Sequence, residues 1–253
     1  TLALENEVIF EGDRLEPGFS DVPGQWGTIW LTDGSTGNEI KNLTIKNATI
    51  GLLIDHNDGN YMTIKNTQIY NSSNIGIYAK NAKIKGENIA INYGGVAALA
   101  CTLRGNYEFK HCTFNNNWPS SKQYAVAVNN YYRDENGDYH YFNLEQADFI
   151  NCIIFGSNTY ELSLDKGTDT TKQWNTNFSK CQIKFGSINN NIYDFISDSE
   201  NIIKNGKTDF FDFENNKLVI GEESDAINFG NDIGITSDIT GAARNSTSGK
   251  VDI

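Results

Sequence analysis

Apolar residues in this chain recur in short alternating runs, not at helical spacing. Eight-residue windows show the pattern: LTIKNATI from Leu43, MTIKNTQI from Met62, AKIKGENI from Ala82, YEFKHCTF from Tyr107, ADFINCII from Ala147, TNFSKCQI from Thr176 and FDFENNKL from Phe211. The third position is always Ile or Phe: Ile45, Ile64, Ile84, Phe109, Phe149, Phe178 and Phe213. The eighth is always large and apolar: Ile50, Ile69, Ile89, Phe114, Ile154, Ile183 and Leu218. A period of two puts one face inward, which predicts short half-buried strands. After the windows come further short apolar runs, among them Gly51 to Ile54, Gly76 to Ala79, Val96 to Ala100, Ala125 to Val128 and Glu161 to Leu164.

Successive windows start 19, 20, 25, 40, 29 and 35 residues apart. A short minimum with variable additions marks a β-solenoid, because insertions on one face leave the stack intact. Leucine-rich repeats share the length but need leucine at fixed points, and leucine is scarce here. The expected fold is all-β: one single-stranded right-handed parallel β-helix of about seven to nine coils. It is expected to form a single domain over residues 1–253.

The fifth window position is asparagine in four cases, Asn47, Asn66, Asn151 and Asn215. Asparagine tolerates left-handed backbone angles at a sharp turn, and stacked side-chain amides can bond one another. These four are expected to be rungs of one ladder, interrupted by His111 and Lys180. His111 is expected to be a polar turn residue. Cys112, Cys152 and Cys181 all take the sixth position, with Ala48 and Thr67 its occupants elsewhere. The three thiols should stack as small buried groups, one per layer, without forming disulfides. Cys101 has no partner at framework spacing, and with only His56, His111 and His140 for company no zinc site is expected.

Composition narrows the partners. The 253 residues carry a net charge of −12 with a pI near 4.6, which argues against nucleic acid and anionic membranes as targets. No apolar run approaches the roughly 20 residues of a membrane-spanning helix. Thirty-four asparagines, far above ordinary usage, disfavour helical architectures. Thr1 is not followed by a leader of basic and apolar residues, so a secretion signal has been removed or was never present.

The segments Val8 to Glu16 (VIFEGDRLE) and Gly24 to Leu31 (GQWGTIWL), followed by Ile45 to Asn47 and Gly51 to Asp55, carry a resemblance. Together with the ending Asp238 to Arg244 (DITGAAR) and Val251 to Ile253, they resemble right-handed parallel β-helix proteins exported to the surface of Gram-negative bacteria. The resemblance covers essentially the whole chain. It implies a pectin-lyase-like architecture, export, and a cell-surface or extracellular place for what would be the mature part or a fragment of a longer chain. It implies little about activity, because this architecture hosts many functions. Trp26 and Trp30 belong to the shared opening and are expected to pack the first coils.

Glycan-processing β-helices use a face made by one strand column. The second strands here end in Asp55, Lys80, the vicinity of Cys101, Asn130 and Asp165. Asp55, His56, Asp58, Lys80 and Arg104 supply the acid, base and cation types that a polysaccharide lyase needs, without any recurring catalytic spacing. They are weighed against solvated strand-end charges. A glycosidase needs two carboxylates roughly 5–10 Å apart, and Asp55 and Asp165 are several coils apart.

The longest addition contains Asn129 to Phe142, NNYYRDENGDYHYF. Asn136-Gly137 between aromatic-rich strands predicts a β-hairpin at about 129–143 carrying Tyr131, Tyr132, Tyr139 and Tyr141. These rings could stack sugars, or could cover apolar surface on the flank of the stack. Asp134, Asn136 and Asp138 alternate as in a calcium loop, but no glutamate follows at EF-hand spacing, so Ca2+ is the one cofactor considered and none is expected. The glycosylation-type triplets at Asn42, Asn47, Asn71 and Asn177 fall out of the repeat itself. The expected role is non-catalytic binding or adhesion of a monomer to a polysaccharide or surface glycan. A carbohydrate-active enzyme, lyase or hydrolase, is the alternative, and an architectural spacer the third.

Overall fold

A computed structural model describes residues 2, 4, 6–57, 59–244 and 249–253. Asp58, a candidate acid on the sequence pattern, lies outside the described residues. Among the described residues the chain is nearly all β, with one short 3-10 helix at Asn191–Ser197. Sixteen strands belong to one hydrogen-bonded sheet, whose main path crosses eight strands, and every pairing within that sheet is parallel.

The registers resolve into three columns. The first stacks 29–31, 50–55, 75–80, 97–102, 124–129 and 162–165. The second stacks 39–41, 63–65, 84–87, 107–110, 147–150 and 176–179. The third stacks 8–10, 43–46, 68–70, 90–91, 113–116, 153–156, 181–183 and 202–204. The chain visits the columns in the same order each time. Met62–Ser72, Ile75–Gly94 and Ala97–Lys110 turn a corner without leaving strand geometry.

Inward positions alternate along each strand and repeat up each column. Leu52, Ile77, Leu99, Val126 and Leu162 form one buried file, and Ile45, Ile69, Ile91, Phe114, Ile154 and Ile183 another. Phe109, Phe149, Phe178 and Phe195 stack with centroids 5.4, 4.9 and 4.7 Å apart. Below Phe109 the same row holds Gly86. A β-carbon on Gly86 would lie 2.5 Å from the Phe109 ring, so the large ring and the missing side chain fit each other.

Three of the seven windows stack differently from the expectation. Ile45 of the first pairs with Ile69, and the partner of Ile64 is Ile40, so the true first repeat begins five residues earlier. The third window is displaced by two: Ile84 pairs with Met62 and Tyr107, and Asn88, not Gly86, holds the turn. The seventh is no layer at all. Its residues form an antiparallel hairpin, Phe210–Asp212 with Lys217–Ile220, on which Phe211 and Phe213 are exposed.

The asparagine ladder is accordingly two ladders. Between the second and third columns, Asn42, Asn66, Asn88, His111, Asn151 and Lys180 all have φ between 47° and 55°. Asn66 donates to Asn42 (3.3 Å), Asn88 to Asn66 (3.1 Å) and Asn151 to His111 Nε2 (3.0 Å). After the third column Asn71 donates to Asn47 at 3.3 Å, both left-handed. Asn47 therefore belongs to the second ladder, and Asn215 to neither, since it bonds Asp212 in the outlying hairpin. His111 occupies a turn as expected but is buried, and burial lowers its pKa to about 3. The C-terminal segment runs back over the first ladder: Asn88 donates to the Ser237 carbonyl and Asn151 to that of Asn231.

Cys112, Cys152 and Cys181 stack in consecutive layers, buried and unbridged. Each thiol donates to the carbonyl two residues earlier, as the Thr67 hydroxyl does two layers below Cys112, past Ile89. Leu43, not Ala48, holds the equivalent place in the first repeat, because that repeat is shifted. Burial pushes the Cys101, Cys112 and Cys181 thiols up.

Glu161 is fully buried, and burial raises its carboxyl to about 8 despite donors from Asn158 and Gln123. Its Oε2 and the Oε1 of Gln123 both lack partners. Burial therefore favours the neutral carboxyl of Glu161 in the folded protein. A folded-state pKa above the unfolded value means that this group's stabilisation is complete below pH 4.5 and is lost as pH rises through about 8. Glu161→Gln should flatten that slope, and urea unfolding at pH 5 and pH 8 should show the variant gaining on the native protein at the higher pH. Asn66→Ala should cost about 1–3 kcal/mol, from left-handed strain and two lost amide bonds, whereas Asn215→Ala should stay within about 0.5 kcal/mol in the same assay.

Candidate functional site

At the C-terminal ends of the first-column strands, one outward row reads Asp55, Lys80, Thr102, Asn129 and Asp165. Thr102 and Asn129 thus stand where the vicinity of Cys101 and Asn130 were expected. Asn130 instead turns inward, where its amide donates to the Phe142 carbonyl and accepts from the Gly167 N–H. The chain leaves these strands through left-handed corners at His56, Asn81 and Leu103 (φ 58°, 49° and 71°). Asn81 and His56 suit that conformation, whereas Leu103 does not and is held by its N–H donating to the Asn129 side chain at 3.2 Å.

Asp55 sits between Lys80 and His56. Lys80 Nζ lies 3.1 Å from Asp55 Oδ2, and the His56 ring bonds Oδ1. Burial works to raise the Asp55 carboxyl, but these two hydrogen bonds and charges outweigh it and hold it below its ordinary value. Arg104 stands over the Phe142 ring at 5.1 Å, a cation–π contact.

The inserted hairpin pairs Tyr131–Arg133 with Tyr139–Tyr141. Its connection is a five-residue loop and not a two-residue Asn-Gly turn. The Asp134 carboxylate accepts from the N–H groups of Asn136 and Asp138, and His140 Nε2 lies 2.8 Å from its other oxygen. The Asp134-x-Asn136-x-Asp138 spacing so serves loop closure, with the His140 bond first among the causes that lower Asp134. No group of three or more His, Cys, Asp or Glu side chains suited to a metal ion occurs among the described residues.

Strand alternation splits the four tyrosines. Tyr131, Tyr139 and Tyr141 cluster on one face, with centroids 5.8–6.1 Å apart, and Tyr132 lies on the other between His140 (4.8 Å) and Phe142 (5.9 Å). Tyr131 is tied down by a 2.7 Å bond to Asp165, which raises its phenol to about 12. Tyr141 is tied to Thr168 at 2.8 Å. Tyr132 and Tyr139 stay exposed.

The two sets of residues singled out separately in the sequence meet. A groove of about 520 Å3 is lined by His56, Lys80 and Arg104 together with Tyr78, Tyr131, Tyr132 and Phe142. A polar hollow of about 290 Å3 adjoins it through His56, Asn81 and Arg104 and adds Asp33, Lys83 and Glu145. Tyr139 and Tyr141 do not line the groove. Asp55 and Asp165 stand four strand steps apart in their row, about 19 Å, well beyond the separation of a glycosidase pair. Sequence reasoning missed Tyr78, which period-two alternation puts on the same outward face as Lys80.

Comparison of the chain with protein-family models, curated proteins and solved structures gives no match. No helix among the described residues is long and apolar enough to cross a membrane.

Asp165→Asn should bring the Tyr131 phenol down from about 12 toward its ordinary value of 10, followed by ultraviolet titration against a Tyr131→Phe control.

Proposed function

We propose that this protein is a right-handed parallel β-helix of pectin-lyase-like architecture, exported to a bacterial surface, that binds glycan without cleaving it. The observation that carries the reading is the convergence of polar and aromatic side chains on one groove: Lys80, Arg104 and His56 against Tyr78, Tyr132 and Phe142. Aromatic faces take the apolar face of a sugar ring, and flanking polar groups orient its hydroxyls. Arg104, which stands over the Phe142 ring, favours acidic over neutral sugars at the point of contact. The repeating registers support six full circuits of three strands with partial ones at 8–10 and 202–204, within the expected coil number. Against the enzymatic alternative stands the occupation of the candidate groups: Lys80 and His56 both bond Asp55.

A glycan array, followed by calorimetry on each hit, tests the reading. Tyr132→Ala should weaken binding about tenfold, and Arg104→Ala should weaken acidic hits more than neutral ones. Incubating each hit with the protein should release neither unsaturated nor new reducing-end products. Release of either would replace the binding reading with the enzymatic one.

A further inference from the structure

Where the C-terminal segment crosses the first asparagine ladder it encloses a cavity of about 220 Å3. The cavity lies between the ladder corners Asn88 and His111, the outlying hairpin strand at Leu218 and Ile220, and the returning segment at Ile239 and Arg244. Pockets for drug-sized ligands begin at roughly 300 Å3, so this one suits a smaller molecule. It shares no residue with the groove around Lys80.

Two nitrogens in its lining are buried without a partner among the described residues: His111 Nδ1 and Arg244 Nε. The Asn151 amide identifies the first as a donor. Its Oδ1 accepts from the Asn231 N–H (3.1 Å) and its Nδ2 donates to the Asn231 carbonyl (2.8 Å), which fixes its orientation. The same Nδ2 donates to His111 Nε2, so Nε2 is bare and the neutral ring carries its proton on Nδ1. The two nitrogens of an imidazole diverge, so Nδ1–H points away from Asn151, to the side of Asn88. His111 is only 6% exposed. Arg244 brings the second donor to that side. Its Nη2 donates to Asn88 Oδ1 (3.0 Å) and its Nη1 to the Asp252 carbonyl (3.2 Å), which leaves Nε–H over. A buried N–H without an acceptor is costly, and two on one small cavity call for a ligand that accepts from both.

The remaining lining narrows the chemistry. Asp238 and Asp252 also face the cavity. Asp238 Oδ1 accepts from the N–H groups of Thr240 and Ala242, and Asp252 Oδ1 from that of Asn228, so each keeps its Oδ2 for another donor. Leu218, Ile220 and Ile239 supply apolar wall. With two carboxylates beside one guanidinium, a simple anion is poorly matched, and a simple cation leaves both N–H groups unmet. A zwitterion answers both. We propose that this cavity binds a free α-amino acid with a branched apolar side chain. Its carboxylate accepts from Arg244 Nε and His111 Nδ1, its ammonium donates to Asp238 and Asp252, and its side chain packs on Leu218, Ile220 and Ile239. The site stands independently of the glycan reading.

The probes are L-leucine, isocaproate (leucine without its ammonium) and isoamylamine (leucine without its carboxylate), measured by calorimetry on the full chain. Leucine should bind about tenfold or more tighter than either fragment. His111→Asn, which puts the ladder's own residue at that left-handed corner, should weaken leucine about tenfold. Asp238→Asn, which keeps the acceptor of its turn, should weaken leucine and leave isocaproate no weaker. Circular dichroism checks that both variants are folded. In the native protein, proton–nitrogen NMR should show the His111 Nδ1–H moving downfield and exchanging more slowly with water as leucine is added. Failure of leucine to bind, or isocaproate binding as tightly as leucine, would overturn the proposal. So would leucine affinity unchanged in both variants, or an unmoved His111 signal at saturating leucine.

Discussion

Everything in this molecule depends on a turn that few residues can make. Between the second and third strand columns the backbone passes through the left-handed region in a single residue, layer after layer. For an L-residue with a bulky side chain that conformation costs free energy, and asparagine reduces the cost through its short polar side chain. Stacking then turns the tolerated residue into a stabilising one, since each amide can reach the amide of the next layer. Because the turn has the same length in every layer, the strands on either side stay in register. In-register strands are what allow isoleucine to meet isoleucine and phenylalanine to meet phenylalanine through the core. Where the ladder takes His111 instead, Asn151 still finds a ring nitrogen to donate to, and the C-terminal segment folds back over the rungs to supply further carbonyls.

The same repetition builds the surface. A residue that points outward in one layer stands in line with its counterparts in the next, so a row of side chains forms without any local sequence motif. The row Asp55, Lys80, Thr102, Asn129, Asp165 and the row Tyr78, Ala100, Ala127, Ser163 both arise in this way. Loops of variable length can then rise beside a regular floor. The hairpin at 131–141 does so, bringing Tyr132 and Phe142 over Lys80 and Arg104. Tyr131 and Tyr141, by contrast, are spent on holding the hairpin against Asp165 and Thr168.

Particular residues mark how far local pattern can be read. Thr44-Ile45-Lys46-Asn47 and Thr63-Ile64-Lys65-Asn66 are the same tetrapeptide, yet they lie in different columns and their asparagines in different ladders. Both flanks of the turn carry the alternation apolar–polar–apolar, so a frame shifted by one strand satisfies the pattern equally well. Gly86 against Phe109 is a second instance: a position that seems to break the repeat is the one that gives a large ring its room. Phe211 to Leu218 match the pattern and still leave the stack, because nothing in eight residues records whether a neighbouring layer exists to receive them.

The chain by itself determined the class of structure. Period-two alternation, scarce prolines and abundant asparagine admit strands and tight turns and little else, and they placed the three buried thiols in one column without bridges. It also named the two groups of residues that matter at the surface, the charged set around Lys80 and the tyrosine-rich insertion. Only the tertiary structure decided which layers stack, and therefore that these two groups face one groove while Asp55 and Asp165 remain far apart. The reason is physical: alternation is a property of each strand alone, whereas register is decided by the fit of a side chain to the layers above and below it.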